Sequence, residues 1–260
     1  MQITHSPMAG QVECFRDIRR QWRDQCKRGF FYAEGEQIFL RLLQSEIKIV
    51  SVLLTHDFLE KYLSRLEGRV SSVFVAEKSW MEENTQQKLN QGVLGFARIP
   101  EPQPLSHWFQ SDRCCIVALN GIDHAVNVGA ILRNCAAFDV SAVIADADTV
   151  HPYCWRAVKA SLGGVLQVPV YRTTDFCDTL KSLQNSGVSL IAADPAGATA
   201  LSELQIPPKI CVILGNEHRG ISLSVLSLAP RPVAVPLSAK VDSLNVAVAS
   251  AVFLYEIRRL

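Results

Sequence analysis

Beyond residue 112 the chain repeats one pattern: a short, nearly all-apolar run, then a stretch long enough for a helix or an extended loop. The runs cover residues 116–119, 142–145, 167–170, 189–192, 210–214 and 233–235. A strand with one face in water alternates apolar and polar residues, whereas a strand covered on both faces does not. Continuous apolar runs separated by helical segments therefore predict an open α/β domain built on a parallel sheet.

Upstream, IPEPQPLSHWFQSD places three prolines within five positions. Proline removes a backbone donor and restricts its neighbour, so residues 98–111 read as a linker. They separate a unit of residues 1–97 from the domain of residues 112–260. The first unit also alternates. Residues 30–33 read as a strand, and Ile38, Phe39, Leu42 and Leu43 then recur at helical spacing. Residues 47–54, 70–76 and 92–99 are further strand candidates, the first two rich in Val and Ile.

Composition narrows the function classes. No apolar run reaches the roughly 18–20 residues that cross a bilayer, and the N-terminus has no apolar core of signal-peptide type, so the expected location is the cytoplasm with no membrane partner. The eight cysteines form no CxxC pair. His151 and Cys154 lack a second pair to complete a zinc site, so reduced thiols and no metal are expected. A net charge of +1 points to no polyanionic partner by itself. The charge is uneven, however: Arg16, Arg19, Arg20, Arg23, Lys27 and Arg28 crowd one helix-like stretch against Glu13, Asp17 and Asp24. Such a face suits RNA phosphates, or is an ordinary solvated helix face.

Three segments carry candidate chemistry. In LNGIDHAVNVGAILRNCAAF (residues 119–138), Val128, Ile131, Leu132 and Cys135 follow helical spacing. Asn127 then reads as an N-cap and Arg133 as a surface arginine, unless both serve a site. In ILGNEHRGIS (residues 213–222), Gly215 ends a strand where an open α/β sheet offers its ligand crevice, followed by a polar turn containing Glu217. In VPLSAKVDSLNVAVASAVFLYE (residues 235–256), a polar loop leads through Ser243, Leu244 and Asn245 into a helix. Ser243 reads as its N-cap and Asn245 as a first-turn residue. The helix is apolar nearly all round and is expected to be buried. No G-x-G-x-x-G follows a strand, which argues against a dinucleotide-binding oxidoreductase.

Together, in this order, the three segments resemble the signature motifs of the SpoU (TrmH) family, S-adenosylmethionine-dependent RNA ribose 2′-O-methyltransferases of the SPOUT superfamily. The resemblance implies an N-terminal L30e-like RNA-binding domain and a C-terminal SPOUT domain with a deep trefoil knot over about residues 189–260. It implies a catalytic group of Arg133, Asn127, Glu217, Ser243 and Asn245. Arg133 would orient the target ribose and its phosphate, and Glu217 would hold the loops and that arginine. With a pKa above about 12, the guanidinium is no free base. Val235 and Leu244 would flank the adenine over Gly215, with Leu214 and Leu237 beside them. RNA contacts would come from Arg19, Arg20, Arg23, Lys27 and Arg28, and from Lys159 in RAVKASLGG, where the family often carries Arg. The resemblance further implies a homodimer through the last helix, with Arg258 and Arg259 at its C-terminal end. The substrate would be structured RNA, rRNA ahead of tRNA. The chain departs from the family at His124-Ala125, in place of Asp-Pro or Asn-Pro, and at Ala239, in place of glycine. These departures keep a second class open: an inactive RNA-binding protein of the same fold acting in RNA folding or ribosome assembly.

Overall fold

The computed structural model describes every residue except Leu105, Ala229, Arg259 and Leu260. The expected placement of Arg259 thus lies outside the described residues. The chain forms two compact units. One comprises Met1–Glu101 together with Tyr153–Leu166, the other Pro102–Pro152 together with Gln167–Leu260.

The first unit runs β1 (Gln2–His5), α1 (Ile18–Lys27), β2 (Phe30–Glu34), α2 (Glu36–Gln44), β3 (Ile49–Leu54), α3 (His56–Leu66), β4 (Val70–Val75), α4 (Lys78–Thr85) and β5 (Val93–Arg98). Its sheet has the order β1-β4-β3-β5-β2. β1, β4 and β3 are parallel, and β5 is antiparallel to both β3 and β2. The core gathers Phe15, Ile18, Tyr32, Leu53, Met81, Leu94 and Phe96. β1 escapes the sequence reading because QITH is only four residues long and acquires its conformation by pairing with β4.

The second unit runs α5 (Ser106–Phe109), β6 (Cys114–Asn120), α6 (Ala125–Ala137) and β7 (Ala142–Ala145). The chain then supplies Tyr153–Leu166, including α7 (Trp155–Ala160), to the first unit. It resumes with β8 (Val170–Arg172), α8 (Phe176–Asn185), β9 (Ser189–Ala193), β10 (Thr199–Ala200), β11 (Lys209–Gly215), α9 (Leu223–Leu226), β12 (Arg231–Ala234) and α10 (Val246–Arg258). The sheet is parallel in every pairing, with the order β10-β12-β9-β11-β6-β7-β8. β6, β7 and most of β11 are buried, as continuous apolar runs require.

Three expectations change. The run at 167–170 becomes a strand only from Val170, because Pro169 has no N–H to give the ladder; its carbonyl instead accepts from Val143 N at 2.8 Å. Residues 112–260 do not form one continuous unit, because Tyr153–Leu166 is held elsewhere. Tyr153 packs on Phe31 with ring centroids 5.2 Å apart, and Trp155 Nε1 and Lys159 Nζ each donate to Glu34 at 2.8 Å. Finally, within one chain α10 is buried on one face only: Val246, Ala247, Ser250, Phe253 and Leu254 face inward, while Val248 and Tyr255 are 51% and 60% exposed. Its inner face meets α6, where Asn134 Nδ2 donates to Ala247 O at 2.8 Å and to Ser250 Oγ at 2.9 Å.

Candidate active site

β6 and β11 are neighbours in register, so Asn120 and Gly215 end side by side at the C-terminal edge of the sheet. Immediately beyond, Asn216 and Gly220 close a tight turn by two backbone hydrogen bonds of 3.0 and 2.9 Å. Buried Asn216 organises both loops. Its Oδ1 accepts from His218 N and Arg219 N, at 2.9 and 3.0 Å. Its Nδ2 donates to Gly121 O and Asp123 Oδ2, at 2.8 and 3.1 Å. A buried amide satisfied on both ends is a rigid clamp. The returning turn also explains Gly215: a Cβ there would stand 2.5 Å from Gly220 C and Ile221 N. The glycine serves backbone packing within the protein as well as any ligand above it.

A second polar chain joins all three sequence segments. Asn245 Nδ2 donates to Asn127 Oδ1 at 3.2 Å, and Asn127 Nδ2 donates in turn to Glu217 Oε1. Asn245, not Ser243, caps α10, its Oδ1 accepting from Ala247 N at 2.9 Å. Nor does Asn127 cap α6. The cap position falls to His124, and Asn127 sits one turn in with its side chain committed to the site. Glu217 was expected beside an arginine and holds Asn127 instead. Its second oxygen, Oε2, is buried and has no hydrogen-bond partner among the described residues.

Against this framework lies a cavity of about 380 Å³, within the usual range for small-molecule sites. Leu214, Gly215, Val235, Leu237 and Leu244 all line it, together with Glu217 and Ser243. Val233 and Phe253 extend the apolar wall, and Asp194 adds a carboxylate. Ala239 is exposed and is not among the lining residues, so its methyl group does not enter the cavity.

Arg133 is exposed on α6, with no hydrogen bond or ion pair among the described residues. Neither Arg133 nor Asn127 nor Asn245 lines the cavity; the latter two reach it through Glu217. In the first unit, Arg19, Arg20, Arg23, Lys27 and Arg28 are all exposed on or just beyond α1. Arg19 Nε donates to Gln87 Oε1 at 2.6 Å, Arg20 pairs with Asp17 at 3.5 Å and Arg23 lies over Trp22. Lys159 differs from these. Its ammonium is spent on Glu34, whose side chain is 1% exposed.

The model of the SpoU rRNA methylase family matches residues 115–255, more than half of the chain. The chain belongs to the SpoU methylase family. Across 229 residues it is 32% identical to an uncharacterized tRNA/rRNA methyltransferase of Mycobacterium bovis, covering 86% of this chain and 79% of that one. The fold is shared with an AdoMet-bound rRNA methyltransferase from Sinorhizobium meliloti: TM-score 0.87, 23% identity, covering 100% and 98% of the two chains. It is shared also with the SpoU methyltransferase AviRb from Streptomyces viridochromogenes, in complex with AdoMet: TM-score 0.84, 18% identity, 96% and 97% covered.

Several polar residues that build the walls of this cavity lie outside the sequence reading. Asn216 stands in view within the Gly-Asn-Glu step, but its partners are 93 and 95 positions away. Asn120, Asp146 and Thr149 form a buried network behind the site: Asn120 Nδ2 donates to Asp146 Oδ2 at 2.8 Å, and Ser222 N donates to Asn120 Oδ1 at 2.7 Å. Asp146 Oδ1 accepts from Thr149 N at 2.7 Å. The cysteines play no part in the site. Burial pushes the Cys115 thiol up to about 12 and Cys135 and Cys211 upward as well, which keeps them protonated and unreactive. No described helix is long and apolar enough to cross a membrane.

Proposed function

We propose that this RNA methyltransferase of the SpoU family transfers a methyl group from S-adenosylmethionine to a ribose 2′-hydroxyl of a structured RNA, with rRNA ahead of tRNA. The observation that carries the reading is the chain Asn245–Asn127–Glu217, which draws the three motif segments onto one cavity. The cavity fits the cofactor: apolar walls for an adenine, and two carboxylates for a ligand rich in donors and bearing a cationic centre. Glu217 Oε2, buried with no donor among the described residues, is an acceptor that such a site would use.

The cofactor, when bound, supplies an electrophilic sulfonium methyl. The protein's own part is alignment and charge. Asn127 and Asn245 lock the Glu217 carboxylate, Ser243 offers a hydroxyl at the wall, and Val235, Leu237 and Leu244 shield the cavity from water. Alignment of this kind lowers a barrier by several kcal/mol without a covalent intermediate. Arg133, exposed and unpaired among the described residues, is available to grip ribose and phosphate oxygens with its planar fork.

The same reading covers the rest of the molecule. The first unit is an L30e-like RNA-binding domain, with the basic face of α1 its phosphate contact. Residues 189–260 carry the SPOUT knot, supported by β11 lying between β9 and β6 and by α10 returning onto α6. Val126, Val248 and Tyr255, 63%, 51% and 60% exposed, supply an apolar surface on α6 and α10 that a second copy would cover in a homodimer. The place of action is the cytoplasm. The intact polar chain favours the enzyme over an inactive RNA-binding protein.

The test is calorimetric titration of S-adenosylhomocysteine, with Leu244→Arg as the blocked control. Micromolar binding lost in the control supports the reading and leads to methylation assays on unmodified rRNA and tRNA transcripts. Absence of binding by the wild-type protein refutes it.

A further inference from the structure

Arg219 is the single base among the residues lining the cavity, against the acids Asp194 and Glu217. Its backbone is immobilised: the N–H donates to Asn216 Oδ1 at 3.0 Å, and Gly220 (φ +67°) closes the turn directly after it. Its side chain is exposed, and its guanidinium has no hydrogen bond or ion pair among the described residues. One terminal nitrogen stands 3.8 Å from where a Cβ on Gly121 would be. The guanidinium therefore lies over the loop from β6 to α6, the helix that carries Asn127 and Arg133. Asp194 and Glu217 answer a cationic centre within the cavity, while the exposed guanidinium, bonded to neither among the described residues, leaves its charge open to an anion arriving from outside.

Resting on the function proposed above, we infer that Arg219 binds an RNA phosphate beside the target ribose and so couples substrate docking to the cofactor cavity. A planar fork on a locked turn suits a phosphate's paired oxygens. The other source of anionic oxygen is the cofactor's own carboxylate, and the two are separable by experiment.

The probe is a fluorescein-labelled RNA hairpin whose loop is a single-stranded 12-mer of mixed sequence, titrated by anisotropy at several salt concentrations with S-adenosylhomocysteine saturating. Arg219→Ala is expected to weaken RNA binding about five- to tenfold at low salt and to reduce the slope of log K against log salt by about 0.7. Arg219→Lys keeps the charge and should restore the slope. S-adenosylhomocysteine should bind the alanine variant within about twofold of wild type, which also verifies that the cavity is folded. Unchanged RNA affinity and slope overturn the inference. So does a loss of S-adenosylhomocysteine affinity with 5′-methylthioadenosine spared, which assigns Arg219 to the cofactor carboxylate. Wild-type protein that binds S-adenosylhomocysteine but not the hairpin overturns this inference alone; failure to bind S-adenosylhomocysteine refutes the cofactor reading as well.

Discussion

Gly215→Ala adds one methyl group at the floor of the cavity, and the structure says what it meets. The new Cβ would lie 2.5 Å from Gly220 C and Ile221 N and 2.8 Å from Gly220 O. All three are backbone atoms, so no rotamer change relieves the clash. The turn must retreat by about 0.9 Å to reach ordinary van der Waals contact at 3.4 Å. It cannot do so freely, because the Asn216–Gly220 pair and four hydrogen bonds of the Asn216 side chain hold it. Overpacking costs about 1–3 kcal/mol, and the rigid surroundings place this case near the top, equivalent to roughly 5–10 °C in melting temperature. The displaced turn carries Glu217 and part of the cavity wall, so affinity for S-adenosylhomocysteine should fall about ten- to hundredfold. The assay is calorimetric titration beside thermal unfolding, with Gly10→Ala as control, since a Cβ at Gly10 meets nothing within 4 Å. If Gly215→Ala melts with wild type and binds within about threefold of it, the argument from backbone packing is wrong.

Other perturbations separate structural from chemical roles. Arg133→Ala removes an exposed side chain with no partner among the described residues, so stability should change by less than about 0.5 kcal/mol, while methyl transfer to a substrate transcript falls on the order of 10²–10³-fold; a normal rate in a folded, cofactor-binding variant would remove Arg133 from the mechanism. Glu34→Gln removes the charge and one of the two oxygens that accept from Lys159 and Trp155 and should cost about 2 kcal/mol in chemical denaturation, less than a fully buried pair because Lys159 is partly exposed; Lys159→Ala should likewise lower stability while leaving RNA affinity within about twofold. His151 is held neutral by burial and then by the Arg172 charge, which push its pKa down to about 4. The unfolded chain takes up that proton near about pH 6.5, so this contribution is complete above about pH 6.5 and declines as pH falls toward 4, by about 2–3 kcal/mol. His151→Asn should flatten that part of the stability–pH curve, and an unchanged slope would locate the acid sensitivity elsewhere.

The sheet of the second unit was legible because strands covered on both faces have no polar positions to spare; Ala142–Ala145 appears where its apolar run stands. Short elements at the margin were not legible. β1 and β10, four and two residues long, exist only through pairing with β4 and β12. Within the site, the motif resemblance marked five cavity-lining residues, Leu214, Gly215, Val235, Leu237 and Leu244, but the partners of Glu217 and Lys159 and the cap of the last helix were misread. Glu217 went to an amide 90 positions away and not to an arginine. The cap of α10 went to Asn245, and Lys159 went to a buried carboxylate 125 positions upstream.

The longer strands and helices were determined by the sequence, because hydrophobic periodicity and local turn chemistry are properties of neighbours along the chain, and the three motifs marked the family and five residues of the cavity. Tertiary structure decided what each polar group touches: the Asn216 clamp, the Asn245–Asn127–Glu217 chain, the transfer of Tyr153–Leu166 to the first unit and an Arg219 guanidinium without a partner among the described residues. A buried polar group must find a partner, and the nearest one in space is chosen by how strands and helices pack, which spacing along the chain does not encode.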